Sequence, residues 1–331
     1  MLEHGGRLRA AAQHYGIPLA DWLDLSTGLA PSPFEFPAVP ASVWQRLPEV
    51  EDGLAAVAAQ RYGAQSVLPV AGAQAAIQLL PQLRSTASCV GIISPCYAEH
   101  AHAWQRAGHQ VLELSDEAVE AALESLDVLL LVNPNNPTGR VFTSAQLLAW
   151  HARLAARGGW LVVDEAFIDA TPELSLAAHS HLPGLIVLRS FGKFYGLAGL
   201  RLGFVLAEPS LLNELNERLG PWAVSGPARW VGLACLADEA AHRQQSLRLQ
   251  QVSQRLVTLL ADYGLAVQGG CALFQWLHTP KAAALHEHFA RRGILLRHFS
   301  QPHSLRFGLP ATEADWQRLR LALDDLSGSL P

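Results

Sequence analysis

Seven short apolar runs, at 67–70, 90–94, 110–114, 128–132, 160–163, 185–188 and 203–206, alternate with stretches of helical character. Runs of this length with helices on either side predict a largely parallel sheet covered on both faces. Half of the 331 residues are hydrophobic, enough for a sizeable core and for more than one domain. In an open sheet of this kind, ligands bind beyond the carboxyl ends of the strands. The residues with chemistry to offer fall there.

The sixth run leads into S-F-G-K-F-Y-G-L-A-G-L-R-L-G, residues 190–203. Lys193, set among Phe191, Phe194, Tyr195 and Leu197, is expected to be partly desolvated, which favours a neutral, nucleophilic amine able to form a Schiff base. Ser190 and Arg201 add a hydroxyl and a guanidinium, and a guanidinium forks onto phosphate. A phosphorylated aldehyde satisfies all three groups, and pyridoxal 5'-phosphate (PLP) is such a molecule. Its ring nitrogen needs a carboxylate nearby to stay protonated. Asp164, in V-V-D-E-A-F-I-D at the end of the fifth run, is the candidate, because a carboxylate at a buried strand tip is costly unless paired. Glu165 and Asp169 read more simply as solvated or capping groups.

Other segments fit the same ligand. The backbone amides of Ala73 and Gln74 follow the first run at a helix start, a ready anion site. Tyr97, in S-P-C-Y-A-E-H, either lays its ring over a flat cofactor or packs in the core. N-P-N-N-P-T-G, residues 133–139, reads as a rigid loop whose Asn136 amide reaches a phenolic oxygen. At the start of the chain, His4, Gly5 and Gly6 either approach an anion closely or fray, and Gly28 either presents its amide or makes a turn. Near the end, Arg297 and Arg306 lie in apolar strand-like sequence, where an arginine usually meets an anion. After P-W-A-V-S-G-P a long helical stretch leads to a second domain with two strand-like pieces, 272–277 and 294–299.

A net charge of −5, spread without long blocks of one sign, argues against a nucleic-acid partner. Glu3, Arg7 and Arg9 precede any apolar run, and no run is long enough to span a bilayer, so no signal peptide, no membrane contact and a cytoplasmic location are expected. The four cysteines lack C-x-x-C spacing and read as reduced thiols. Fourteen histidines without H-E-x-x-H spacing give no reason to expect a metal.

With Asn136, Asp164, Ser190, Lys193 and Arg201 in this order and spacing, the chain resembles the fold-type-I PLP enzymes, the aspartate aminotransferase superfamily. Within it the resemblance is strongest to the L-threonine-O-3-phosphate decarboxylases of cobalamin biosynthesis. It runs through H-G-G at His4, L-D-L-S-T-G at Leu23, P-C-Y-A-E-H at Pro95, D-E-A-F-I-D at Asp164, K-F-Y-G-L-A-G-L-R-L-G at Lys193 and P-W-A-V-S at Pro221.

The resemblance implies an N-terminal arm and part of the small domain at 1–33, a large PLP-binding domain at 34–221 and a small domain at 222–331. It also implies a homodimer acting on a phosphorylated amino acid. Cofactor contacts carried over are Ala73, Gln74, Tyr97, Asn136, Asp164, Ser190, Lys193 and Arg201. Substrate contacts are His4, Gly5, Gly28, Arg297 and Arg306, with the carboxylate on Arg306 and the phosphate mainly on Arg297 with His4. The chain departs from many relatives at three places: Phe167 replaces a Tyr, Gly192 lacks a hydroxyl, and Leu47 replaces a Tyr that reaches the neighbouring subunit. The rival activity is an aminotransferase for histidinol phosphate or a related amino acid.

Overall fold

In the computed structural model, residues 5–326 are described. Strand β1 (Leu23–Leu25) comes first in the chain. It is followed by β2 (Val67–Val70), β3 (Cys89–Ile93), β4 (Gln110–Leu114), β5 (Val128–Val132), β6 (Trp160–Asp164), β7 (Leu185–Ser190) and β8 (Gly203–Leu206). The last four are β9 (Gly269–Cys271), β10 (Phe274–His278), β11 (Ile294–Phe299) and β12 (Ser304–Gly308). The chain divides into two compact units.

The larger unit, 34–136 with 140–246, is built on a seven-stranded sheet in the order β2-β8-β7-β6-β5-β3-β4. The five strands β7, β6, β5, β3 and β4 are parallel, β8 runs antiparallel to them, and β2, antiparallel to β8, closes that edge in the direction of the five. All seven strands fall on the runs read from the sequence; β3, β5, β6, β7 and β8 are buried almost throughout and show no polar face, whereas β2 and the edge strand β4 are only partly covered. On one side Val90, Val128, Leu130, Val162, Ile186 and Val205 pack with Ile77, Trp104 and Leu215 of the covering helices. Their neighbours in sequence, Leu129, Leu131, Leu161, Val163, Val187 and Phe204, point the other way and are equally buried.

After β4 the chain returns past β3 to make β5, so the direction of winding reverses between β3 and β5. The carboxyl ends of β3, β5, β6 and β7 therefore bound one crevice, where such sheets take their ligands.

The smaller unit joins 1–33 to 247–331, with 137–139 added from the middle of the chain. Its five-stranded sheet runs β1-β11-β12-β10-β9, with β1 parallel to β11 and the remaining pairs antiparallel. Sequence periodicity marks only β10 and β11. β1 and β9 are three residues each, β9 is two-thirds glycine, and Arg306 interrupts β12.

Residues 222–246 group with the larger unit rather than the smaller. The helix Gly226–Ala237 sits so close to its neighbours that a Cβ on Gly232 would meet Leu202 Cδ2 at 2.4 Å, and Arg229 Nε and Nη2 each donate to Asp52 at 2.6 Å. Among the described residues no helix is long and apolar enough to cross a membrane.

Glu165 and Asp169 are not solvated. Both are buried and both pair with Arg189 of β7, whose guanidinium lies 4.2 Å from the Tyr62 ring centroid. Glu165 also accepts from Ser175 Oγ (2.5 Å) and the Leu176 amide (2.7 Å). Burial drives the Glu165 carboxyl up, with the Arg189 charge pulling it back. This closed set of charges ties the loop after β6 to β7, the two strands that carry Asp164 and Lys193. Arg189→Leu leaves two buried carboxylates without their cation, and urea unfolding should show a loss of about 3–5 kcal/mol. A loss below about 1 kcal/mol, the range of an exposed pair, would mean that the triad is not structural.

Candidate active site

Asp164 ends β6 and is 4% exposed. Its Oδ2 lies 2.8 Å from His100 Nε2, and its Oδ1 accepts the Ala166 amide at 3.0 Å. An ionised carboxylate only accepts, so His100 presents Nε2–H to it. Sequence reading left Asp164 to be paired by a ligand. The structure adds His100, itself buried, three residues beyond Tyr97 at the start of the helix Glu99–Arg106.

Next to Asp164, Val132 of β5 stands in register, and the Asn133 amide donates to the Asp164 carbonyl at 2.9 Å. The following loop is held from inside. Asn133 exchanges hydrogen bonds with the Phe142 backbone (2.9 and 3.2 Å), and Asn135 Nδ2 donates to the Pro95 carbonyl at 2.9 Å. Asn136 is thereby fixed at the end of a clamped segment.

Tyr97 is set by polar neighbours as well as by packing. Its hydroxyl donates to Gln74 Oε1 at 3.1 Å, and Gln74 Nε2 donates to Glu99 Oε2 at 3.0 Å. Its ring meets His100 edge-on, with centroids 5.9 Å apart. Burial, and then the charges of Glu99 and Asp164, push its phenol up to about 12, so it stays a donor at neutral pH. Glu99 was not singled out by sequence, although its place beside His100 in P-C-Y-A-E-H was visible.

Two glycines, Gly72 and Gly203, let the backbone close in around Arg201. Ser190, at the tip of β7, pairs with Gly203 of β8. A Cβ on Gly203 would stand 2.5 Å from the Ala73 nitrogen and 2.9 Å from Gly72 C, so only a bare Cα lets β8 pass against the Gly72–Ala73 turn. Gly72 itself has φ +76°, and a Cβ there would meet Arg201 Nη2 at 2.7 Å. The guanidinium thus lies over an open backbone, beside the first amides of the helix Ala73–Leu79, which find no partner within their own helix. Arg201 has φ +55°, a conformation that costs a non-glycine residue about 1 kcal/mol or more. Its Nη1 donates to the Ala198 carbonyl at 3.1 Å.

Lys193 sits on the short helix Phe191–Phe194 with Nζ 5.5 Å from the Phe167 ring centroid. It is half-buried, as expected, and Phe191, Phe194 and Tyr195 beside it in sequence are fully buried. Tyr195 stacks on Phe191 with centroids 4.1 Å apart, and Phe194 on His242 at 4.4 Å. Gly192 is required by space, since a Cβ there would meet Ala198 Cα at 2.7 Å. A hydroxyl-bearing residue does not fit. The third departure, Leu47, is exposed.

The proposed substrate residues come together within the smaller unit. Arg297 of β11 and Arg306 of β12 are cross-strand partners on one face of the sheet. Arg306 is 7% exposed, donates from Nη2 to the Ser26 carbonyl at 2.8 Å, and lies 5.0 Å from the Phe274 ring centroid. Burial pushes its guanidinium down to about 10, and the charge of Arg297 adds to the effect. Gly5 is packed onto the same residue, since a Cβ on it would meet the Ser26 carbonyl oxygen at 2.4 Å, and the Gly6 amide donates to Ser26 Oγ at 2.7 Å. Gly28, two residues on, is buried. His4 lies outside the described residues.

Gly203→Ala forces a Cβ into backbone atoms that no side-chain motion relieves, and should cost about 1–3 kcal/mol in denaturant unfolding. Gly199→Ala, with nothing within 4 Å of its added Cβ, should stay within about 0.5 kcal/mol. Equal stabilities for the two variants would contradict the close approach.

Comparison with known proteins places the chain in a family. Residues 43–323 match the family model "Aminotransferase class I and II". The chain is 64% identical over 323 residues to a threonine-phosphate decarboxylase of Pseudomonas aeruginosa, covering 98% of this chain and 97% of that one. It is 44% identical over 326 residues to a threonine-phosphate decarboxylase of Sinorhizobium sp, covering 97% of each. Among solved structures, histidinol-phosphate aminotransferase from Sinorhizobium meliloti in complex with pyridoxal-5'-phosphate superposes with a TM-score of 0.84. That match has 20% identity and covers 100% of this chain and 99% of the other, a likeness of fold. On the family match across most of its length and on these relatives, the chain belongs to the class I and II aminotransferase family.

Proposed function

We propose that this protein is a PLP-dependent threonine-phosphate decarboxylase, converting L-threonine O-3-phosphate to (R)-1-amino-2-propanol O-phosphate for cobalamin biosynthesis. The observation that carries the reading is the near full-length identity to two threonine-phosphate decarboxylases. The cofactor fits the residues present. A glycine-floored cradle under Arg201 and a buried carboxylate that still has acceptor capacity are what its phosphate and ring nitrogen ask for.

Lys193 would hold PLP through Nζ, with Asp164 at the ring nitrogen and Asn136 at the phenolic oxygen. Tyr97 would lie over the ring, and Ser190, Arg201 and the Ala73 and Gln74 amides would hold the phosphate. When bound, PLP supplies an electron sink for the pair left on the α-carbon when one of its bonds breaks. The chain's own residues do the rest. His100 would hold the Asp164 carboxylate oriented at the strand tip. Lys193 Nζ would carry the proton that takes the place of the carboxylate on the α-carbon.

Two guanidiniums side by side repel one another unless an anion lies between them. A phosphate dianion neutralises both, whereas a carboxylate leaves one charge over. The register of Arg297 with Arg306 therefore favours giving both arginines to the substrate phosphate, in place of dividing them between its two ends. That arrangement also suits the reaction, since a firm grip on the carboxylate would stabilise the ground state and hinder its departure.

A homodimer is part of the same reading. Trp44 (68% exposed), Leu47 and Val50, close together in the chain, and Trp222 (58% exposed), which lines one pocket with Val50, are large apolar groups left open on the larger unit. A cytoplasmic location accords with the absence of a spanning helix among the described residues, without following from it.

The rival, transamination of histidinol phosphate or a similar amino acid, shares the fold and the cofactor. Purified protein loaded with PLP should release carbon dioxide from L-threonine O-3-phosphate with no keto acid added. Turnover that depends on 2-oxoglutarate and releases no carbon dioxide would establish the rival. Lys193→Ala should bind PLP without the yellow absorbance of the lysine-linked cofactor and lose activity by several orders of magnitude. A retained yellow band would remove Lys193 from its role.

A further inference from the structure

The paired arginines have a third neighbour in the same row. Across β10, β12 and β11, Trp276 is the registered partner of Arg306, which is in turn the partner of Arg297. Direct cross-strand partners share one face of the sheet, so an indole and two guanidiniums stand in line. The indole N–H is buried and meets no acceptor among the described residues. A buried donor left unmade is costly, and a well-packed sheet seldom tolerates one without a reason.

The tilt of the ring follows from its contacts. Its Cε3 edge is turned to β9, 3.7 Å from where a Cβ on Gly269 would stand, and its plane stacks on His278 at 8° with centroids 5.7 Å apart. In an indole, Nε1 lies on the edge opposite Cε3. The donor edge is therefore the one turned from β9 toward β12, the strand of Arg306.

We propose that Trp276 Nε1–H is a third donor to the anionic group of the substrate gripped by Arg306 and Arg297, so that the row reads phosphate with two charged forks and one neutral N–H. This rests on the reading of the substrate as a phosphorylated amino acid, and it adds a residue that neither sequence motifs nor charge would single out. A tetrahedral dianion has enough lone pairs to accept from all three groups, and an uncharged donor adds a hydrogen bond without a third like charge in the row. Selectivity for phosphate over a lone carboxylate is the consequence.

The test uses the full-length PLP-loaded protein labelled with ¹⁵N at tryptophan, the Trp276 indole resonance being assigned by its loss in Trp276→Phe. Inorganic phosphate should move that resonance downfield and saturate, and L-threonine, with a carboxylate and no phosphate, should leave it in place. In Trp276→Phe, KM for threonine phosphate and the inhibition constant of inorganic phosphate should both rise about 10-fold, most of the loss lying in KM.

A resonance that ignores phosphate overturns the proposal, as does one that moves equally with L-threonine, or a variant that binds phosphate as tightly as the parent. If Trp276→Phe does not fold, the spectra of the parent decide alone. A protein whose indole responds to phosphate but which releases no carbon dioxide from threonine phosphate would refute the reaction and leave the donor standing.

Discussion

A negative charge shut into the tip of a buried strand is the constraint on which the rest of this protein turns. Asp164 has lost most of its water, and His100 and the Ala166 amide return only part of what it gave up. Burying a carboxylate there is costly, and neighbouring elements are arranged to meet that cost. β5 fixes the strand by its register and by the bond from the Asn133 amide, and the helix Glu99–Arg106 delivers His100. The Arg189 triad, one residue beyond, stops the following loop from drifting. An anion held so firmly is of use to a positively charged heterocycle placed against it.

Close backbone approach does comparable work around Arg201. Gly203 and Gly72 contribute no side-chain chemistry. Their missing Cβ atoms let a strand, a helix start and a guanidinium occupy one small volume, which a phosphate can then fill. Arg201 accepts an unfavourable backbone conformation to reach that place. Strain in a residue that also carries a functional group is a common mark of a binding site.

How much of this was readable beforehand depended on what kind of interaction was involved. The central strands of the large sheet stood out because buried strands write an unbroken apolar pattern, and Lys193, Asp164 and Arg201 stood out because their types are unusual in such surroundings. β1 and β9 were hidden because a strand of three residues has no period to detect, and β12 showed only as the apolar setting of Arg306. His100 was hidden because a histidine's partner is set by tertiary contact, here 64 positions away in sequence. Glu165 and Asp169 looked like ordinary surface acids, since nothing local announces that Arg189 will be buried against them. The pairing of Arg297 with Arg306 is a fact of register, and neither residue reveals it alone.

The most direct test of this account is the protonation state of the cofactor's ring nitrogen. In protein reconstituted with ¹⁵N-labelled PLP, the ring nitrogen should give a pyridinium chemical shift at neutral pH and a neutral-pyridine shift in Asp164→Asn. A neutral ring nitrogen in the unaltered protein would mean that the buried carboxylate serves some other purpose, and the proposed chemistry would lose its electron sink.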